Sequence, residues 1–102
     1  MNIVYFNSKV ENNLYSLDKT PLDKCLRLID LLMMFGNKLG MPYSKKIHTN
    51  LYELRVRGQQ EIRIFYCFYQ DKAVIVHYFI KKSQKTPGKE IKTALSRIAQ
   101  LI

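Results

Sequence analysis

A chain of 102 residues has room for one hydrophobic core and no second one, which excludes a large cofactor-binding fold and makes residues 1–102 a single domain. With 47% apolar residues and a net charge of +9, it should fold, and its expected partner is a polyanion or an acidic protein. Its two cysteines, Cys25 and Cys67, sit in apolar runs rather than in a CxxC pair, which argues against zinc and a disulfide framework and for a reducing compartment.

The N-terminus, MNIVYFNSKVEN, lacks the basic start and apolar middle of a secretory signal, and no apolar run approaches membrane-spanning length. The expectation is a cytoplasmic protein with no membrane contact. Asn2 to Phe6 is a short β-prone run and reads as a first strand. Ser8 can cap a helix to about Leu17, with Val10, Leu14 and Leu17 on one face. The charge of this region is balanced: residues 1–37 carry Lys9, Lys19, Lys24 and Arg27 against Glu11, Asp18, Asp23 and Asp30. Thirteen basic and four acidic residues follow, so thirteen minus four leaves the whole +9 downstream.

Thr20-Pro21-Leu22-Asp23 reads as a hydroxyl N-cap, a proline at the first helical position and a carboxylate in the first turn. Leu22, Cys25, Leu26, Ile29, Leu32, Met33 and Leu39 line one side of the long helix that follows, which Gly36 weakens and Gly40-Met41-Pro42 ends. Leu28, Leu31, Met34 and Phe35 widen the apolar stripe. Burial on two sides is the favoured reading; the alternative is a patch reserved for a partner chain. Pro42 to Asn50, with Lys45, Lys46 and His48, is read as a polar basic connector.

Three consecutive strands follow, with side chains alternating between two faces. In Leu51 to Arg57, Tyr52, Leu54 and Val56 share one face, and Glu53, Arg55 and Arg57 the other. After the turn Gly58-Gln59-Gln60, the strand Glu61 to Tyr69 sets Ile62, Ile64, Tyr66 and Phe68 against Arg63, Phe65 and Cys67. After Gln70-Asp71-Lys72, Val74, Val76, Tyr78 and Ile80 are expected opposite Ile75, His77, Phe79 and Lys81. Antiparallel pairing would then gather Arg55, Arg57, Arg63, His77 and Lys81 on one surface, with Phe65 and Phe79 among them. Such a surface suits RNA: cations hold phosphates, and aromatic rings stack on unpaired bases. Lys82 and Lys85 extend the positive field, with Lys45 and Lys46 as further RNA contacts. Thr86-Pro87 then opens a last helix with Ile91, Ala94, Leu95 and Ile98 on its buried face.

LYELRVRG, IRIFY and HYFIKKSQKTP followed by EIKTALSRI resemble the RelE/HigB superfamily of type II toxin–antitoxin toxins, in its phage-derived HigB-like branch. The resemblance covers most of the chain, including the preceding helix and the LGMP connector. It implies a small α+β RelE-like domain of order β-α-α-β-β-β-α, with a mostly antiparallel sheet backed by helices. It further implies an mRNA interferase, a ribosome-dependent endoribonuclease acting on messenger RNA, and a cognate antitoxin that neutralises it. By analogy with HigB-like pairs, that antitoxin is a helix-turn-helix DNA-binding protein.

The expected chemistry is attack of the RNA's own 2′-hydroxyl on the adjacent phosphorus, which needs neither metal nor cofactor. The protein must position the RNA, neutralise charge on the phosphorane oxygens and move two protons. The candidate catalytic residues are Arg55, Arg63, His77, Lys81 and Lys82. By resemblance, Arg55 and Arg63 match recurring basic positions, and Lys81, Lys82 and Lys85 match the basic segment after the last strand. His77 is the group suited to titrate near neutrality; its alternative is a strand histidine satisfied by a neighbour. Glu53 stands where some relatives have a basic residue, and the C-terminal segment has no tyrosine where some relatives place one. The competing function is a non-catalytic basic module of the same fold that binds RNA or an acidic protein.

Overall fold

The structure, a computed structural model, describes residues 1–102. The chain runs β1 (Asn2–Tyr5), α1 (Ser8–Tyr15), α2 (Lys19–Phe35), a 3-10 turn (Gly36–Lys38), β2 (Ser44–His48), β3 (Leu51–Val56), β4 (Glu61–Tyr69), β5 (Lys72–Lys81) and α3 (Gly88–Leu101). Its sheet has the order β1-β5-β4-β3-β2, and every pairing is antiparallel except that of β1 with β5. The α+β class and the mostly antiparallel sheet agree with the sequence reading. The count differs by one strand.

That strand is β2, in the segment read as a connector. It pairs with β3 through Ser44↔Leu54, Lys45↔Glu53 and Lys46↔Tyr52. An edge strand has one unpaired side and little to bury, and lysines there discourage further pairing. Its apolar signal is accordingly reduced to the half-buried Ile47. The one buried side chain of β2, Ser44, is anchored by a 2.5 Å hydrogen bond with the Tyr66 hydroxyl.

Helices cover both faces of the sheet. Val10 and Leu14 of α1 and Cys25, Ile29 and Leu32 of α2 pack with Leu54, Val56, Ile62, Ile64, Tyr66, Ala73 and Ile75. On the opposite face Ala94 of α3 packs with Leu51, Phe65, Cys67, Val74, Val76 and Phe79. Burial on both faces explains why β4 reads IRIFYCF rather than alternating apolar with polar. The helix starts are also shifted from the sequence reading. Asn7, not Ser8, caps α1, accepting from the Val10 N–H at 2.9 Å. Helix α2 begins at Lys19, so Pro21 lies in its first turn, where an N–H has no intrahelical acceptor. It ends where Gly36 takes φ 55°, a conformation that favours glycine.

The parity expected of the third strand breaks at a bulge. Phe65 pairs with His77, yet Tyr66 pairs with Ile75, so Val76 is the extra residue. Val74 and Val76 therefore face α3, whereas Tyr78 and Ile80 face the α1–α2 layer. The expected single face of Val74, Val76, Tyr78 and Ile80 is thus divided between two layers. Burial of α2 on two sides also fails at its last turn: Met33, Met34 and Phe35 are exposed, Met34 by 73%.

Candidate nucleic-acid interface

The antiparallel register brings the end of β3, the start of β4 and the end of β5 to one place. Arg55 pairs with Arg63, and Glu61 with Lys81. Arg57 follows β3, and Lys82, Ser83 and Gln84 follow β5. These eight residues line an open cleft of about 590 Å³ that has no apolar side chain in its wall. Arg55, Arg57, Arg63, Lys81 and Lys82 face a single lining carboxylate, Glu61. A concentration of donors with one anion among them attracts phosphate oxygens.

The cations sit at different depths. Arg57 and Lys82 are exposed and Arg55 is half-buried, whereas Arg63 is only 2% exposed. Arg63 donates from Nη1 to Glu61 Oε2 at 3.0 Å and to the Ile62 carbonyl at 3.3 Å. Arg57 reaches the other oxygen of Glu61 at 3.5 Å. Beneath them lies Glu53, itself buried, 3.7 Å from Arg55 Nε and 3.8 Å from Arg63 Nε. Those contacts are ion pairs without hydrogen bonds, and Glu53 Oε2, Arg55 Nε and Arg63 Nε have no hydrogen-bond partner. The site thus carries buried polar groups whose desolvation is only partly offset. The hydrogen bond from Arg63, assisted by the charges of Arg63, Arg57 and Lys81, holds the Glu61 carboxyl below the usual carboxylate range.

Five of the basic residues singled out from the sequence, Arg55, Arg57, Arg63, Lys81 and Lys82, are therefore together. Lys85 is exposed in the loop before α3 but does not line the cleft, and Lys45 and Lys46 are exposed on β2 beyond it. The expected exposure of Phe65 and Phe79 is corrected. Phe65 is fully buried and Phe79 is 7% exposed, because α3 closes over their face. Their rings pack edge to face at 5.1 Å and present no surface to a base.

His77 shares the sheet face of Arg63 and Lys81, as expected, but does not line the cleft. It pairs with Phe65 on that face, at the end that α3 covers, and there Nε2 lies 2.9 Å from Glu90 and Nδ1 lies 3.5 Å from Arg97 Nη1. Arginine can only donate, so Nδ1 is the acceptor and Nε2–H donates to Glu90. His77 lines a separate groove, of about 450 Å³, with Lys9, Lys82, Glu90 and Arg97. Sequence reasoning set Glu53 on the face of Arg55 and Arg57 but gave no site role to it, beneath the cleft, to Glu61 at its mouth or to Glu90 beside His77. The legible signal was alternation, since Glu53, Arg55 and Arg57 share parity, as do Glu61 and Arg63.

No three His, Cys, Asp or Glu side chains come together as a metal cage. Burial pushes both thiols up to about 11, which removes the thiolate a nucleophilic cysteine needs. No helix is long and apolar enough to cross a membrane.

Residues 12–99 match the family model described as phage derived protein Gp49-like. Among solved structures, the chain resembles one from the YoeB-YefM complex of Staphylococcus aureus, with 17% identity and a TM-score of 0.59 over 81% of this chain and 97% of that one. A chain of the heterotetrameric YoeB-YefM toxin-antitoxin complex of the same organism gives 18% identity and a TM-score of 0.58 over the same shares. At such identities the likeness is one of fold. No curated protein matches the sequence.

Proposed function

The chain belongs to the phage-derived Gp49-like family, within the RelE/HigB superfamily that its motifs resemble, and from that premise we propose that it is an mRNA interferase. It would cut translated messenger RNA on the ribosome, in the cytoplasm, and a cognate antitoxin would hold it in check. The observation that carries this reading is the convergence of Arg55, Arg57, Arg63, Lys81 and Lys82 around one carboxylate.

In this reading the scissile phosphate enters the cleft and takes over the contacts that Glu61 makes with Arg57 and Arg63. Arg55, Arg57 and the lysines neutralise the charge that grows on the nonbridging oxygens as the 2′-oxygen closes on phosphorus. The bond to the 5′-oxygen breaks, leaving a 2′,3′-cyclic phosphate and a 5′-hydroxyl. Arginine does not give up a proton, so Lys81 or Lys82 supplies the one that the 5′-oxygen takes. Glu61 is the base within reach of the cleft. Arg63 keeps it ionised in the free protein, and once the phosphate has taken that hydrogen bond the carboxylate is a stronger base for the 2′-hydroxyl proton. The cations supply the charge stabilisation that a metal would otherwise give, so the reaction is read as metal-independent.

The test is primer extension across a translated message and a translation-blocked control, before and after brief induction. Cuts confined to the translated message are expected. Intact message from a well-expressed, folded chain would overturn the reading. One observation favours the competing view, a non-catalytic module that docks on RNA or an acidic partner: His77 lies outside the cleft, which leaves no histidine there to shuttle protons.

An antitoxin partner is proposed from the same family reading and from the fold shared with chains of the YoeB-YefM complexes. By the HigB analogy it would be a small helix-turn-helix DNA-binding protein. An acidic segment would suit the cleft, and an apolar one the exposed Met33, Met34 and Phe35. Co-expression with the neighbouring gene should yield a stable complex; recovery of free, non-toxic monomer alone would count against it.

A further inference from the structure

A second groove, with three cations in its wall, lies beside the cleft. Its floor is β5 from His77 to Ile80, one wall is α1 with Lys9 and Asn13, and the other is α3 with Glu90 and Arg97. Lys82 borders both this groove and the cleft, so the two cavities meet at one ammonium group. Arg97 is fixed in place. Its Nη1 donates to the Val76 carbonyl at 2.6 Å and its guanidinium carbon stands 5.6 Å from the centre of the Phe6 ring.

A guanidinium has five N–H donors, and these contacts leave several of them for a ligand. The opposing carboxylate, Glu90, is already occupied by His77 at 2.9 Å. Three cations, Lys9, Lys82 and Arg97, therefore line the groove against one engaged carboxylate. At about 450 Å³ the space lies within the usual range of ligand sites, about 300–1,000 Å³, and exceeds what a bare phosphate fills.

We propose that the groove between α1 and α3 is a second phosphodiester subsite, in which Lys9, Lys82 and Arg97 hold the RNA strand that continues from the cleavage cleft. The proposal rests on the RNA reading of that cleft and extends it to the flanking nucleotides. It gives α3 a part in binding, and it gives the His77–Glu90 pair the task of docking α3 and keeping Glu90 off the phosphate.

The test compares RNAs made uncleavable by a 2′-deoxy substitution at the scissile position. A dinucleotide, and the same dinucleotide lengthened by four nucleotides at either end, are titrated by fluorescence anisotropy at several salt concentrations. One lengthened RNA is expected to bind about tenfold tighter than the dinucleotide, the worth of a charge-assisted hydrogen bond. Its salt slope should be steeper by about 0.7 for each added phosphate contact.

In Lys9→Glu the ratio of long to short affinity should fall close to one, and Lys9→Arg should restore it. Lys89→Glu makes the same charge change on an exposed residue of α3 outside both cavities, and should leave the ratio as in the wild type. A wild-type ratio near one, or an equal fall in Lys89→Glu, would overturn the subsite. So would a Lys9-dependent affinity for adenosine monophosphate with no gain from lengthening, which would mark a free-nucleotide site. If wild-type protein cuts message yet gains nothing from longer RNA, the subsite fails and the nuclease reading stands. If lengthening gives a Lys9-dependent gain while message stays intact, the subsite stands and the nuclease reading fails.

Discussion

Arg55 and Arg63 are cross-strand partners on β3 and β4, two cations face to face with the buried Glu53 carboxylate within 3.7 and 3.8 Å of their Nε atoms. Like charges directly opposite each other destabilise a sheet. Glu53 is thus the counter-charge that lets the pair exist. Glu53→Gln should cost about 3 kcal/mol of folding stability, the loss expected when a buried pair is broken and a charge left uncompensated. Urea denaturation checks this. A loss under about 1 kcal/mol, the scale of an exposed pair, would mean that solvent screens the arginines.

Glu61 gives a pH dependence of definite sign. Arg63 holds its folded pKa below the unfolded value, so its stabilising contribution is present above the unfolded pKa, about 4.3, and is lost as pH falls through the depressed folded value. Glu61→Gln should flatten that part of the acid limb. The side chain is 37% exposed, so the effect should stay at the scale of a surface pair. Thermal melts of both proteins from about pH 5 down to about pH 2, the span in which carboxylates titrate, measure it; identical acid limbs would show that Arg63 gains nothing from Glu61.

Phe79 and Arg57 should separate packing from binding. Phe79→Ala removes a ring packed between Phe65 and the α3 layer, with an expected loss of about 3 kcal/mol or more. Arg57→Ala removes an exposed cation from the cleft wall, and should change stability by less than about 0.5 kcal/mol while weakening RNA binding several-fold. The comparison is between melting temperature and affinity for an uncleavable oligonucleotide. A Phe79→Ala protein of native stability would argue against α3 packing on this face.

The basic cleft was legible because alternation is a local property. Glu53, Arg55 and Arg57 share parity whatever covers them, and a Gly-Gln-Gln turn fixes the hairpin to Arg63. What covers the other end of the same face was not local. Ile91, Ala94, Leu95 and Ile98 announce an amphipathic helix but not the face on which it docks, so Phe65 and Phe79 read as open. The bulge at Val76 was equally hidden, since an extra residue in a strand of β-branched side chains leaves no mark in composition. Strand β2 escaped for the opposite reason: an edge strand is written in lysines.

The two cysteines report on the two layers. Cys25 lies on α2 against one face of the sheet and Cys67 lies on β4 under α3 on the other, and burial raises both thiols to about 11. A thiol whose pKa is raised by folding contributes fully below its unfolded value, about 8.5, and the contribution is lost as pH rises toward the folded one. Stability should therefore decline above about pH 8.5, before the tyrosines begin to titrate near 10. Cys25→Ala and Cys67→Ala lose packing as well, so each is compared with its own stability near neutral pH rather than with the wild type. The fall between about pH 8 and about pH 9.5, the window around the unfolded thiol pKa, should shrink in each and vanish in the double variant. Alkylation of the wild type by iodoacetamide at about pH 8 should proceed at the rate of unfolding and accelerate with urea. Rapid modification of Cys67 alone in native buffer would mean that α3 opens while the rest of the fold stays closed.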